Sequence, residues 1–253
     1  MREAGHTFLA RMGKKRLRPG GKKGTEWLLA RGAFKPETTV LEAACNMGTT
    51  AIELAARFGC SVTACDLDET ALEKAAENVR KAGLADRISL YHADATSLPF
   101  ADNSFDVVLN EAMLTMLSPS SKEKAVAEYF RVLRSAGVLL THDVALTAAA
   151  PDEQNRIRKD LSAAINVPVH PLDAPAWRSL FLDAGFASSD TLTGKMTLMS
   201  LEGMVYDEGW GNTLRILANG LLSGNRAMFL GMRKVFMKYG RQLAFIVAAS
   251  RKS

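Results

Sequence analysis

No stretch of this 253-residue chain stays apolar for the roughly 18 to 20 residues that a membrane-crossing helix takes. The opening MREAGH has no apolar core of the kind a secretory signal carries. Cysteine is scarce. Cys45, Cys60 and Cys65 are an odd number without metal-ligand spacing, so no metal site is predicted. They read as reduced thiols, which predicts a cytoplasmic protein. Internal repeats and low-complexity tracts are absent. Eight prolines and 47% hydrophobic residues suit one large α/β domain, or a domain with an appended lid. Glycine is short in one telling place. The turn AACNMG, 43–48, follows an apolar strand, yet it carries one glycine where nucleotide-binding turns usually carry three.

Charge is present but uneven. The chain carries a net +5, and its first 35 residues alone hold ten Lys or Arg against two Glu. That segment is either a solvated arm or one that meets an anionic substrate, nucleic acid or membrane surface. Residues 1–38 are therefore read as a basic arm with a lid helix, and 39–253 as the main domain.

Strand and helix patterns alternate from residue 39 to about 145. TVLEA (39–43), SVTACD (61–66), RISLYH (87–92), FDVVLN (105–110) and GVLLTHD (137–143) read as strands. Helices are expected over 49–58, 69–82 and 121–133, with Gly59 and Gly83 at C-terminal stop positions. Helical connections of this length imply right-handed crossovers and a parallel sheet. Beyond, 151–166 and 173–186 look helical, 189–199 and 243–249 supply a sixth and seventh strand, and 201–241 holds two more helical segments. Residues 151–170 and 201–241 interrupt the alternation as lid-like insertions. Six of eleven methionines fall between 196 and 237. On the wheel of 225–239, Met228, Met232, Val235, Phe236 and Tyr239 share a face. That face is either plain packing or a pliable lid over an apolar substrate, and the basic remainder also suits peripheral membrane contact. Trp177, Tyr206 and Trp210 are candidates for the same pocket.

Ligands of open parallel sheets bind beyond the carboxyl ends of the strands. Here every one of the first five strands ends in polar or acidic residues: Glu42, Asp66, Asp94, Asn110 with Glu111, and His142 with Asp143. A carboxylate at Asp66 suits the two hydroxyls of a ribose, and Asp94-Ala95 the amine of adenine. A diphosphate cradle needs glycines where this chain has Ala44 and Asn46, which disfavours a nicotinamide-dependent oxidoreductase. Asn tolerates positive φ better than other non-glycine residues. The turn thus suits a nucleoside without phosphates.

Residues 40–143 resemble the class I S-adenosylmethionine-dependent methyltransferases, most of all the small-molecule subgroup of ubiquinone and menaquinone biosynthesis. Glu42 with Ala44, Asn46 and Gly48 stands for the acid and glycines of its first motif. Asp66, Asp94-Ala95 before Leu98-Pro99-Phe100, Ser104–Leu109, and Leu180 through Gly185-Phe186 match later motifs. LRPGG, 17–21, with Thr25 resembles the subgroup's N-terminal lid. The resemblance implies a Rossmann-like seven-stranded, mostly parallel sheet with helices on both faces and a helical lid. It implies S-adenosylmethionine held by Arg18, Gly21, Glu42, Ala44, Asn46, Gly48, Asp66, Leu67, Asp94, Ala95 and Asn110. Candidate bases for a protonated acceptor are Glu111, His142 and Asp143. The implied acceptor is small and apolar or amphipathic. The alternatives are a nucleic-acid methyltransferase using the basic arm and a non-catalytic binder of S-adenosylmethionine. Asn110-Glu111-Ala112-Met113 lacks the Asn-Pro-Pro-aromatic motif of base methylation, which makes nucleic acid a poor candidate. No sequence feature specifies an oligomeric state.

Overall fold

The computed structural model describes residues 3–147 and 150–253. Two short helices, α1 (Gly5–Met12) and α2 (Gly21–Leu29), precede the sheet. Then β1 (Thr39–Ala43), α3 (Thr49–Phe58), β2 (Ser61–Asp66), α4 (Glu69–Ala82), β3 (Ile88–His92) and β4 (Phe105–Glu111) follow. A 3-10 turn at Leu114–Met116 leads into α5 (Pro119–Val132) and β5 (Leu133–Leu146). The remainder is α6 (Pro151–Ile165), β6 (Leu172–Asp173), α7 (Ala174–Asp183), β7 (Ser188–Lys195), α8 (Leu201–Leu221), α9 (Ser223–Lys238) and β8 (Leu243–Arg251).

The sheet runs β3-β2-β1-β4-β5-β8-β7, with β6 paired to β5 off this path. It has eight strands among the described residues, not seven. The extra one is a two-residue stub, Ala145↔Leu172 and Leu146↔Asp173, too short to leave a periodic signal. All pairs are parallel except those made by β8, which runs antiparallel between β5 and β7. The order reverses between β1 and β4. A crevice opens there, beyond the carboxyl ends of the strands.

Local chemistry explains the elements. Asp68 caps α4 by accepting from the Thr70 and Ala71 amides, worth about 1 kcal/mol. Gly83, at φ 69, closes the helix with its amide on Arg80 and Val79 carbonyls. Ala71, Ala75 and Val79 fall on the buried side of α4. One core layer lies under α5 and α7 (Tyr129, Trp177, Phe181), another under α3 and α4 (Leu54, Val62, Val79).

The basic N-terminal stretch is packed, not free. Phe8, Leu9 and Met12 of α1 join Met204, Ile216, Phe229 and Met232 of α8 and α9 in a separate cluster. Phe229, absent from the expected apolar face, is among its most buried members. The three aromatics expected in one pocket separate. Trp177 is wholly buried, donating its indole N–H to the Val144 carbonyl at 3.0 Å, whereas Tyr206 and Trp210 face solvent.

Candidate active site

The turn after β1 shapes one wall of the crevice. Ala44, Asn46 and Gly48 have φ of 58°, 48° and 72°. These are the three glycine places of the motif, two of them held here by other residues, so the backbone keeps the left-handed geometry and only the residue types at Ala44 and Asn46 differ. Asn carries such a φ at modest cost; Ala44 carries it against its Cβ. The Asn46 amide donates to Asp66 Oδ2 at 2.8 Å, tying the turn to the end of β2.

A cavity of about 350 Å³ opens above this turn, in the size range of small-molecule sites. Of the residues named from the sequence as donor contacts, Ala44, Asn46, Asp66, Leu67, Asp94 and Ala95 line it. Asp94 turns one oxygen to Thr96, Oδ1 accepting from its amide and hydroxyl, and Asp66 accepts from the Asp68 amide. An inner recess continues past Glu42, Arg18, Thr49 and Thr50. There Glu42 is buried and its Oε2 has no hydrogen-bond partner. Burial drives its carboxyl up to about 8, the Glu111 charge adding and Arg18 opposing. A buried orphan acceptor beside a guanidinium suits the amino-acid end of S-adenosylmethionine, and the carboxylates outside suit its nucleoside. Three expected contacts fall elsewhere. Gly48 is buried at the N-cap of α3 and lines neither space. Asn110 is wholly buried, donates to Thr141 Oγ1 at 3.0 Å and lines neither space. Gly21 (φ 53) lies against Asp207, where any Cβ would collide with the carboxylate. It shapes the lid segment rather than the crevice wall.

The candidate bases divide. Glu111 accepts from Thr25 Oγ1 (2.7 Å), Thr50 Oγ1 (2.8 Å), His142 Nδ1 (3.1 Å) and Arg18 Nε (2.8 Å). Burial pushes this carboxyl up, but Arg18, His142 and Thr25 together outweigh it and hold it at about 2. His142 is fully buried, and its Nε2 accepts from the Gly20 amide at 3.0 Å. That bond fixes the tautomer with the proton on Nδ1, facing Glu111. Neither group has a free lone pair for a substrate proton, which corrects the expectation that they act as bases. They are a buried clamp that fastens LRPGG across the ends of β4 and β5. Gly20 and Gly24 sit so close to the His142 ring that a Cβ at either would strike it. α8 holds the same segment from outside. Glu208 Oε1 accepts from the Lys15 and Arg16 amides, and Asp207 Oδ1 from the Lys22 amide.

Asp143 is different. It lines a second, mostly apolar cavity of about 90 Å³, walled by Leu9, Ile165, Val169, Met196, Met232 and Phe236. Burial raises its carboxyl, against hydrogen bonds from Thr115 and the Val144 amide and the charge of Lys122. The two cavities share His6, Leu17, Ala112 and Met116. Sequence reasoning missed His6, and named Leu17 only as part of the lid segment. The available signal was the spacing of Phe8, Leu9 and Met12, which marks 5–12 as an amphipathic helix. The imidazole of His6 is held below its ordinary value by burial, Asp66 and Asp68 pulling the other way, so it is neutral at pH 7.

Comparison with known proteins agrees with this geometry. A family model described as "Methyltransferase domain" matches residues 40–137. The chain is 51% identical to an uncharacterized protein of Haemophilus influenzae, over 99% of this chain and 98% of that one. It is 30% identical to the uncharacterized methyltransferase YodH of Bacillus subtilis, over 69% of this chain and 71% of that one. Among solved structures, a geranyl diphosphate C-methyltransferase of Streptomyces coelicolor, in complex with Mg2+, geranyl diphosphate and S-adenosyl-L-homocysteine, superposes with a TM-score of 0.68. It shares 14% identity over 91% of this chain and 77% of that one. The chain belongs to the class I S-adenosylmethionine-dependent methyltransferases. It is an enzyme of that class, and S-adenosylmethionine is its methyl donor.

Proposed function

We propose that this enzyme methylates a small apolar or amphipathic acceptor seated in the cavity under α9, and that His6 takes up the proton the acceptor loses. One observation carries the reading: an apolar cavity meets the donor crevice at His6, Leu17, Ala112 and Met116. Bound S-adenosylmethionine supplies a sulfonium methyl already activated for displacement. The chain's own work is alignment and exclusion of water. Met116 and Leu17 close the junction against solvent. His6, neutral and without a hydrogen-bond partner among the described residues, accepts a proton at a ring nitrogen. Asp143, at the cavity wall with a raised carboxyl, orients a polar group on the acceptor. A space of about 90 Å³ takes a ring-sized group. A longer tail displaces Met232 and Phe236, of which the flexible methionine repacks readily.

Labelled methyl transfer to prenylated hydroquinones and isoprenyl diphosphates, with glycine and nucleosides as polar controls, tests the acceptor class. Turnover confined to the polar controls overturns the reading. With an acceptor in hand, His6→Ala should lower kcat on the order of 10²- to 10⁴-fold, with a far smaller effect on donor affinity from the crevice wall it also lines. Phe236→Ala should raise KM. Unchanged kcat in the first variant removes His6 from the mechanism.

A further inference from the structure

The charge of this chain is segregated. After Glu208 it contains no Asp or Glu, yet residues 209–253 hold eight Lys or Arg. Residues 36–208 hold fourteen Lys or Arg against twenty-five acids. The donor-binding body is thus acidic, while the N-terminal stretch is basic, and so is the chain from Gly209 to Lys238, where Arg215 of α8 and Arg226, Arg233, Lys234 and Lys238 of α9 are accompanied by no acid in sequence. The fold brings those basic parts together, with α8 packed on α1, α2 and α9.

The outer surface of that layer is apolar as well as basic. A break at Gly209 (φ 75, ψ 164) restarts α8. From there Thr213, Ile216 and Gly220 point inward. Trp210, Leu214 and Leu221 recur at helical spacing on an exposed flank, 67%, 61% and 51% accessible, with Leu222 beside them at 60%. On α9, Phe229 and Met232 are buried, and Leu230 and Met237 face solvent next to Arg226 and Lys234. Arg226 and Lys234 have no ion-pair partner among the described residues. Eight of the eleven exposed large apolar side chains among the described residues lie on these two helices or their link. Exposed apolar side chains this concentrated on one hairpin point to an interaction surface.

Charge selects the occupant. A second copy docked face to face would set this basic surface against itself. Nucleic acid would meet mostly leucine and methionine beside Trp210 and Tyr206, where single strands are usually held by successive stacking aromatics and polar donors. A helical surface with Trp, Leu and Met between Lys and Arg is what an anionic lipid headgroup layer accepts. We propose that the outer face of the α8–α9 hairpin docks on an anionic bilayer surface. No helix among the described residues is long and apolar enough to cross a membrane, so the contact is peripheral. Met232 and Phe236, on the inner side of α9, line the second cavity. If the acceptor is apolar, as proposed above, docking sets its cavity directly beneath the bilayer; the docking itself needs no acceptor.

Flotation of the full chain with vesicles tests this, comparing phosphatidylcholine alone with phosphatidylcholine doped with phosphatidylglycerol. The expected result is binding to the doped vesicles only, weakened by salt. A blue shift of Trp210 emission should accompany it and vanish in Trp210→Phe. Lys234→Glu should lower the partition coefficient roughly fivefold or more, and Leu214→Asp with Leu221→Asp roughly tenfold or more, with S-adenosylmethionine affinity unchanged in each. Three results overturn the proposal: no preference for doped vesicles, retention by the variants, or variants that alter only self-association or RNA retention. Because neither acceptor nor turnover enters the assay, failure of the acceptor reading leaves these outcomes unaffected.

Discussion

Glu111→Gln keeps the shape of a side chain and removes its charge at the centre of the clamp. In the wild type, Arg18 is buried and gives its Nε to Glu111 at 2.8 Å. Truncating one partner of such a pair strands the other, typically at 3–5 kcal/mol. Proton linkage gives a similar figure. A carboxyl at about 2 when folded and 4.5 when free contributes roughly 3 kcal/mol above the higher value. The sign follows from the depressed value: this stability is present above 4.5 and lost as pH falls towards 2. One compensation is built in. Glu42 is held near 8 by burial and partly by the Glu111 charge, with Arg18 opposing. Without that charge Glu42 ionises more readily and becomes the counter-ion of Arg18. The expected loss is therefore at the low end, about 2–3 kcal/mol, and Glu42→Gln added to it should deepen the loss. Urea unfolding followed by circular dichroism measures both, near neutral pH and again on the acid side of 4.5. The variant should show a flatter acid limb than the wild type. If Glu111→Gln stays within about 0.5 kcal/mol of wild type, or the acid limbs coincide, the clamp does not hold the lid and the argument fails.

Asp66→Ala should weaken S-adenosylmethionine binding by about 1.5–3 kcal/mol, the usual size of charge-assisted hydrogen bonds; calorimetry giving an unchanged Kd would remove Asp66 from the crevice. Asn46→Gly should leave donor affinity within about twofold and stability within about 0.5 kcal/mol. Its amide bond to Asp66 survives the change, and its side chain makes no hydrogen bond among the described residues; a large loss of binding would assign that side chain a ligand contact.

The alternation of apolar runs and amphipathic stretches determined the sheet, its parallel sense and the crevice, because a crossover helix between buried strands allows little else. The turn chemistry was readable too. Asn46 and Gly48 declare positive φ by residue type, although Ala44 shares that geometry without declaring it. Two of the acids at strand ends, Asp66 and Asp94, line the crevice for the same topological reason. Sequence could not say which of those acids face a ligand. Glu111 and His142 sit at strand ends like Asp66, and only the packing of LRPGG over them turned them from bases into a clamp. His6 lies 60 residues from Asp66 along the chain, in a stretch whose charge drew attention from its apolar face. It reaches the junction of the two cavities only because α1 packs on α8 and α6. Net charge was likewise visible from the start. That the two basic segments share one layer, with an apolar outer surface, was decided by tertiary contacts, since residues 36–208 separate them and local sequence carries no record of which distant helices meet.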